Sequence, residues 1–300
     1  MNKRILIAML LCLGSSVAGY SEETSADTKA SNDAAQEGKA MSTVDIRYMI
    51  DDVAAAVAFY TKHLGFALEF DAGTAFAAVT RDGTRLLLSG KASSARRAMP
   101  DGREPVPGGW NRIHIVVDDI ETEVTRLREA GVHFRNEIFK GRAGSQILLD
   151  DPSGNPVELF QNSARAQEGK PMSTVSFRYM IDDVDAAVDF YTRQLGFALE
   201  LDSSPAFASV TRGGMRLLLS GKTSSGRRAM PDGTEPVPGG WNRIHIVVDD
   251  LEAEVKRLRE AGVHFRNEII KGQGGSQIQL DDPSGNAVEL FQTSERYQLK

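Results

Sequence analysis

Gly108-Gly109-Trp110-Asn111-Arg112-Ile113-His114-Ile115-Val116-Val117-Asp118-Asp119 is written twice in this chain, recurring residue for residue from Gly239 to Asp250. Ile113, Ile115 and Val117 alternate with Arg112, His114 and Val116, the period-two signature of a strand. One face is aliphatic and calls for a core, whereas the other carries Trp110, Arg112 and His114 and predicts the wall of a pocket. Beyond Asp119, Ile120, Val124 and Leu127 fall at helical spacing. Asp119 is therefore a natural N-cap, its carboxylate accepting from the first free amides of the helix. Strand, cap and helix form the repeating phrase of the whole sequence.

Working outward, residues 41–161 align with 172–292 at a constant offset of 131 without a gap, with about four in five positions identical. This is a duplicated domain rather than a short-period solenoid. A weaker repeat lies inside each copy. Arg47-Tyr48-Met49-Ile50-Asp51-Asp52-Val53 has the same outline of strand, Asp-Asp and helix, and Val53, Val57, Tyr60 and Leu64 continue at helical spacing. Gly65 and Gly131 stand where a left-handed residue ends each helix. Three strands are predicted after the first helix, at 66–70, 75–80 and 85–89. Three more follow the second, at 132–139, 145–149 and 157–161, the last two joined by the turn Asp150-Asp151-Pro152-Ser153-Gly154-Asn155. The unit reads βαβββ and occurs four times. A four-stranded sheet backed by one helix leaves one face open, so units must pair. The expected class is α+β, with paired βαβββ modules forming open, barrel-like sheets around a cleft. Pairing of the two domains with each other and pairing in a homodimer both satisfy the pattern.

The flanks read differently. Lys3-Arg4 followed by the apolar run from Ile5 to Leu13 and by Ser16-Val17-Ala18 has the form of a secretory signal over residues 1–19. The run is about half the ~20 residues that a membrane span needs. Residues 20–40 contain no Val, Ile, Leu or Phe and read as a disordered linker. The first domain then spans 41–162, a short polar linker 163–171, the second domain 172–294 and a tail 295–300. Cys12, the one cysteine, lies inside the signal, so the exported chain would hold no disulfide, thiolate ligand or cysteine nucleophile. The chain carries a formal charge of -6, and loss of the signal would leave 33 basic against 41 acidic residues. Nothing in that balance draws phosphate backbones or anionic lipid, so neither nucleic acid nor a membrane surface is an expected partner.

With Ile46, Tyr48 and Ile50 directed to the core, alternation leaves Asp45, Arg47 and Met49 for the cleft. The fifth strand contributes Trp110, Arg112 and His114, and the eighth Glu158 and Phe160. The second copy supplies Ser176, Arg178, Met180, Trp241, Arg243, His245, Glu289 and Phe291. These positions, with Asp52, Phe59-Tyr60, Leu64-Gly65-Phe66, Asp151-Pro152-Ser153-Gly154-Asn155 and Glu158-Leu159-Phe160 and their copies, resemble the vicinal oxygen chelate superfamily. That group includes glyoxalase, bleomycin-resistance, fosfomycin-resistance and extradiol dioxygenase proteins. The resemblance covers both domains and implies the fold; one fold hosts many chemistries, so it does not by itself imply an activity.

In metal-dependent members of that superfamily, the ion is held by residues opening the first and fifth strands and by a glutamate on the eighth. Those slots hold Asp45, Arg112 and Glu158 in the first copy, and Ser176, Arg243 and Glu289 in the second. Arginine is cationic at any working pH and does not ligate. It is expected instead to pair with the glutamate by charge-assisted hydrogen bonds, replacing the ion's charge. A shifted site of Asp45, His114 and Glu158 would suit a divalent Zn, Ni, Mn or Fe. If the domains interdigitate, Asp45 would instead join His245 and Glu289. The long loop 93–109, with Arg96 and Arg97, reads as a rim favouring a planar or anionic ligand, with Trp110, Phe160 and Met49 as apolar walls. Two functions follow: an exported binding protein of bleomycin-resistance type without metal, or a metal-dependent lyase or dioxygenase of glyoxalase type. His133 and His264 read as rim or surface residues.

Overall fold

The computed structural model describes residues 43–163, 175–272 and 274–294. The expected signal, the 20–40 linker, most of the inter-domain linker and the 295–300 tail lie outside these residues.

Each copy folds as two βαβββ modules. The first contains β1 (Val44–Met49), a helix Val53–His63, β2 (Ala67–Asp71), β3 (Phe76–Arg81) and β4 (Thr84–Ser89). The second contains β5 (Arg112–Val116), a helix Ile120–Glu129, β6 (Phe139–Lys140), β7 (Gly144–Asp150) and β8 (Pro156–Asn162). The third contains β9 (Val175–Met180), a helix Val184–Asp189 extended by one wide turn, β10 (Ala198–Ser203), β11 (Phe207–Arg212) and β12 (Met215–Ser220). The fourth contains β13 (Arg243–Val247), a helix Leu251–Glu260, β14 (Ile270–Lys271), β15 (Gly275–Asp281) and β16 (Ala287–Thr293). The Asp-Asp pairs cap as expected: Asp52 Oδ1 accepts from Ala55 N at 3.0 Å and Asp119 Oδ1 from Glu121 N at 3.0 Å. Gly65 and Gly131 adopt φ of 67° and 78°, the left-handed exit that a side chain resists.

The modules interdigitate. One open eight-stranded sheet runs β14-β15-β16-β13-β1-β4-β3-β2 and joins the first module to the fourth; the other runs β10-β11-β12-β9-β5-β8-β7-β6 and joins the third to the second. At the first seam β1 and β13 are antiparallel, with Asp45 opposite His245 and Arg47 opposite Arg243. At the second, β5 and β9 set Arg112 opposite Arg178 and His114 opposite Ser176.

The two sheets share one apolar core, with Ile46, Tyr48, Ile113, Ile115, Phe177, Ile244 and Ile246 fully buried in it. Tyr48 holds its own repeat together across that core: its hydroxyl donates to Pro156 O at 2.7 Å and accepts from Ile113 N at 2.7 Å. Tyr179 repeats the arrangement with Ala287 O and Ile244 N. The Asp-Pro-x-Gly-Asn turn also has a structural task. Asp151 Oδ1 accepts from Ser153 N and Asn155 N, while Asn155 Nδ2 donates to Met49 O at 2.9 Å, fixing the turn against the end of β1.

One expected strand is shortened. The span 132–139 forms only an isolated bridge, Phe134 to Leu149, before β6. The cause is Asn136, whose Oδ1 accepts from Leu148 N at 2.9 Å in place of the backbone carbonyl that a continuous ladder would offer.

Candidate functional site: two buried arginine–glutamate centres

The cleft face of each seam is filled by charge. In the second sheet, Arg112 Nε donates to Glu158 Oε2 at 2.7 Å, and Arg178, from the other repeat, reaches both carboxylate oxygens at 3.1 Å. Arg112 is fully engaged: Nη1 donates to Trp110 O at 3.0 Å and Nη2 to Gly226 O at 2.8 Å. In the first sheet, Arg243 donates to Glu289 at 2.7 Å and Arg47 Nη2 stands 3.1 Å from Glu289 Oε1. Arg47 and Arg178 are held from behind by Ser89 and Ser220 at 2.8 and 2.6 Å. Glu158, Glu289 and Arg243 are 0% exposed and Arg112 is 1% exposed. The floor of each expected cleft is therefore a buried ionic layer, while its outer end stays open at Phe70 and Leu201. Two guanidiniums per carboxylate satisfy most of the hydrogen-bonding capacity that burial demands.

Burial by itself would raise the glutamates, but Arg178 and Arg112 outweigh it and hold Glu158 at about 2. Arg47 and Arg243 hold Glu289 at about 2 in the same way. Burial lowers His114 to about 3, against a partial opposing pull from Glu158, and burial lowers His245 as well. Both imidazoles are therefore neutral at physiological pH. Phe160 and Phe291 pack on them, with ring centroids 5.0 and 4.9 Å away.

The residues named from sequence divide as follows. Arg47, Arg243, His245, Glu289, Phe291 and Asp45 meet in the first sheet; Arg112, His114, Glu158, Phe160 and Arg178 meet in the second. The shifted site of Asp45, His114 and Glu158 does not form, because β1 pairs with β13 and carries Asp45 to the other sheet. Trp110 and Trp241 leave the cleft face. They precede the strands, and each is half-buried under a guanidinium, Arg135 or Arg266, at 5.1 Å. Arg96 likewise turns away, donating to Ile50 O at 3.1 Å. His133 and His264 are exposed and sit beside Asp150 and Asp281.

Sequence reasoning passed over Asn111 and Asn242, which lock the repeats together. Asn242 Oδ1 accepts from Met49 N at 3.0 Å while its Nδ2 donates to Asn155 Oδ1 at 2.9 Å. Asn111 does the same with Met180 and Asn286. The available signal was their place one residue before each ligand-slot arginine. The loops after β4 and β12 close the centres from above, through short turns at Ser94–Arg96 and Ser225–Arg227. Gly226 leaves room for Arg178 as it stands: a Cβ would fall 2.7 Å from Arg178 Nη1 and 2.8 Å from Ser220 Oγ, whereas the first centre seats Arg47 beside Ala95. Gly226→Ala is expected to displace Arg178 from Glu158 and cost about 1–3 kcal/mol by overpacking, measured by urea unfolding. A wild-type midpoint would show that the ion pair has slack.

The donor set does not fit a metal. Nδ1 of His245 faces Asp45 Oδ2 at 3.5 Å while Nε2 faces Glu289 Oε1 at 3.6 Å, so the two carboxylates lie on opposite sides of the ring rather than around one lone pair. Both glutamates are already taken by guanidiniums, and among the described residues no group of three His, Cys, Asp or Glu side chains is placed to hold an ion.

Known proteins share this architecture. The sequence pattern of the Glyoxalase/Bleomycin resistance protein/Dioxygenase superfamily matches residues 43–159 and again residues 174–290. The chain belongs to this superfamily. As a tandem member of it, the chain is 23% identical over 206 residues to a lactoylglutathione lyase of Schizosaccharomyces pombe, covering 61% of this chain and 67% of that protein. The crystal structure of glyoxalase I from Zea mays superposes with a TM-score of 0.56 at 14% identity, covering 84% of this chain and 93% of the maize chain. A putative dioxygenase from Bacillus subtilis superposes at 0.51 and 15% identity, covering 83% and 84%. At these identities the structural likeness shows the superfamily fold alone.

Proposed function

We propose that this superfamily member is an exported binding protein that holds a small, anionic or aromatic molecule against its two clefts without a metal ion. The observation that carries the reading is the arginine in each fifth-strand ligand slot, bound to the glutamate that would otherwise face an ion. The outer end of each cleft offers an apolar wall. Through the register, Phe70, Ala78, Leu87 and Arg47 form one row in the first sheet, and Leu201, Ser209, Leu218 and Arg178 form the matching row in the second. Phe70 is 52% exposed and Leu201 46% exposed, while the arginines at the other end are buried. An apolar body on the outer strand with its polar group directed at the centre is the ligand such a row suits. Among the described residues no helix is long and apolar enough to cross a membrane. Export rests on the N-terminal pattern and is tested by the mass of the mature chain.

The competing reading is a metal-dependent lyase or dioxygenase, supported by the similarity to a lactoylglutathione lyase and by two neutral histidines beside carboxylates. Metal analysis separates the two readings. The purified chain, offered Mn, Fe, Co, Ni and Zn in turn, is expected to retain no stoichiometric ion. An ion bound at one equivalent and released by Glu289→Gln or His245→Ala would establish the metal reading instead.

A further inference from the structure

The duplication provides an internal comparison, and the two centres are not equal. Around Glu289, three guanidiniums (Arg47, Arg85 and Arg243) are matched by three carboxylates. Asp45 lies 3.6 Å from Arg85, and Glu69 lies 3.0 Å from the same arginine. Around Glu158, Arg112, Arg178 and Arg216 face only Glu158 and Glu200, because Ser176 stands where the first copy has Asp45. Both histidines are neutral, so the second centre carries one unmatched positive charge in a buried setting, where an unpaired charge is costly.

Two further differences concern the same side of the ring. In the first sheet, Nδ1 of His245 faces the Asp45 carboxylate. In the second, Ser176 is the cross-strand partner of His114; Nδ1 of both rings is buried with no hydrogen-bond partner among the described residues, but only that of His245 has a carboxylate nearby. Ser176 brings no carboxylate, and among the described residues none pairs with His114 Nδ1; the ring's only carboxylate contact is Nε2 to Glu158. The surrounding substitutions run in concert. Ala95 becomes Gly226, which admits Arg178 to a two-pronged contact with Glu158, and Gln279 becomes Leu148 beside the glutamate.

We infer that the second-sheet cleft binds the carboxylate of a small organic acid beside His114, Ser176 and Arg216 (the counterpart of Arg85), at the place that the Asp45 side chain occupies in the first sheet. The first cleft carries that carboxylate as part of the protein, with the Phe70 and Phe76 rings 6.0 Å apart toward its outer end. In its Nδ1–H tautomer the neutral His114 donates to the bound carboxylate, and Nε2, 3.8 Å from Glu158 Oε1, makes no hydrogen bond there. The inference rests on the proposal that the clefts bind small molecules.

Acetate is the probe, titrated into the full chain to about 100 mM in exchange for chloride at constant ionic strength, with imidazole NMR signals and thermal stability recorded together. The expected result is a saturable shift of His114, no shift of His245, and a raised Tm. Ser176→Asp supplies the carboxylate internally and is expected to abolish both responses. Asp45→Ser converts the first centre into the second and is expected to make His245 respond as well. A silent His114, or an acetate response that survives Ser176→Asp unchanged, would overturn the inference. So would an Asp45→Ser chain in which His245 stays silent, and this holds even if Ser176→Asp does not fold. Failure on these readouts leaves the metal analysis untouched, so the parent reading is judged separately.

Discussion

Glu158→Gln is expected to lower the stability of the fold by about 3–5 kcal/mol, because it leaves Arg112 and Arg178 buried without their counter-charge. Urea unfolding followed by far-UV circular dichroism measures it, and Glu289→Gln should match it through Arg47 and Arg243. The loss belongs to the broken pair rather than to the pair as such. A triple replacement by Arg112→Met, Arg178→Met and Glu158→Leu should recover most of it, since apolar residues of similar volume often serve as well as a buried ion cluster. If Glu158→Gln unfolds at the wild-type midpoint, the centre is solvated and the buried ionic layer is wrong.

Acid should do the same damage by titration. Glu158 and Glu289 are held near 2, below their ordinary 4.5, so they contribute stability that is present above about pH 4.5 and lost as pH falls toward 2. His114 is lowered by burial from 6.5 to about 3, so its neutral form stabilises the fold above pH 6.5, and that contribution drains away toward pH 3. Asp282 works in the opposite sense. Burial raises it from 3.8 to about 6, so its contribution is full below 3.8 and lost as pH rises through 6. Asp151, also raised by burial, adds to it. The opposing terms offset one another between pH 4.5 and 6.5, and below about pH 3.8 only losses remain. Stability is therefore expected to vary little down to about pH 4.5 and then to fall steeply, with a shallower fall in Glu158→Gln.

Residues 41–162 expressed alone are expected to form a dimer and to be unfolded as a monomer. In the whole chain β1 pairs with β13 and β5 with β9, so one repeat by itself has two central strands without their seam partners. The copies are about four-fifths identical, so a second molecule of the first repeat presents nearly the same partner strands. The self-complementary, two-fold contact would then rebuild both sheets. Light scattering and a concentration-dependent Tm check this. A folded monomer that is stable at submicromolar concentration would show that each repeat closes on itself, contrary to the observed seams.

Much of the fold was legible locally. The alternation at Ile113, Ile115 and Val117, the caps Asp52 and Asp119, and the exits Gly65 and Gly131 each follow from chemistry within a few residues. The Arg112–Glu158 pair was legible because both residues sit on one face of neighbouring strands. The share taken by Arg178 in that pair was not, because it depends on which β9 meets which β5. Trp110 was misplaced for a related reason: alternation was extended two residues past the start of β5, where Arg135 covers the indole. The strand expected over 132–139 failed because propensity does not register one asparagine side chain replacing a ladder carbonyl.

The βαβββ unit and its four occurrences are fixed by near neighbours and an exact offset, and the resemblance to the superfamily then put an arginine in the fifth-strand ligand slot of each copy. Only the tertiary structure decided that the repeats exchange modules. Strand pairing joins residues about 200 apart, and two nearly identical partners satisfy the local pattern equally well. That exchange put Asp45 beside His245 and left Ser176 beside His114, so two copies of one domain make two different centres.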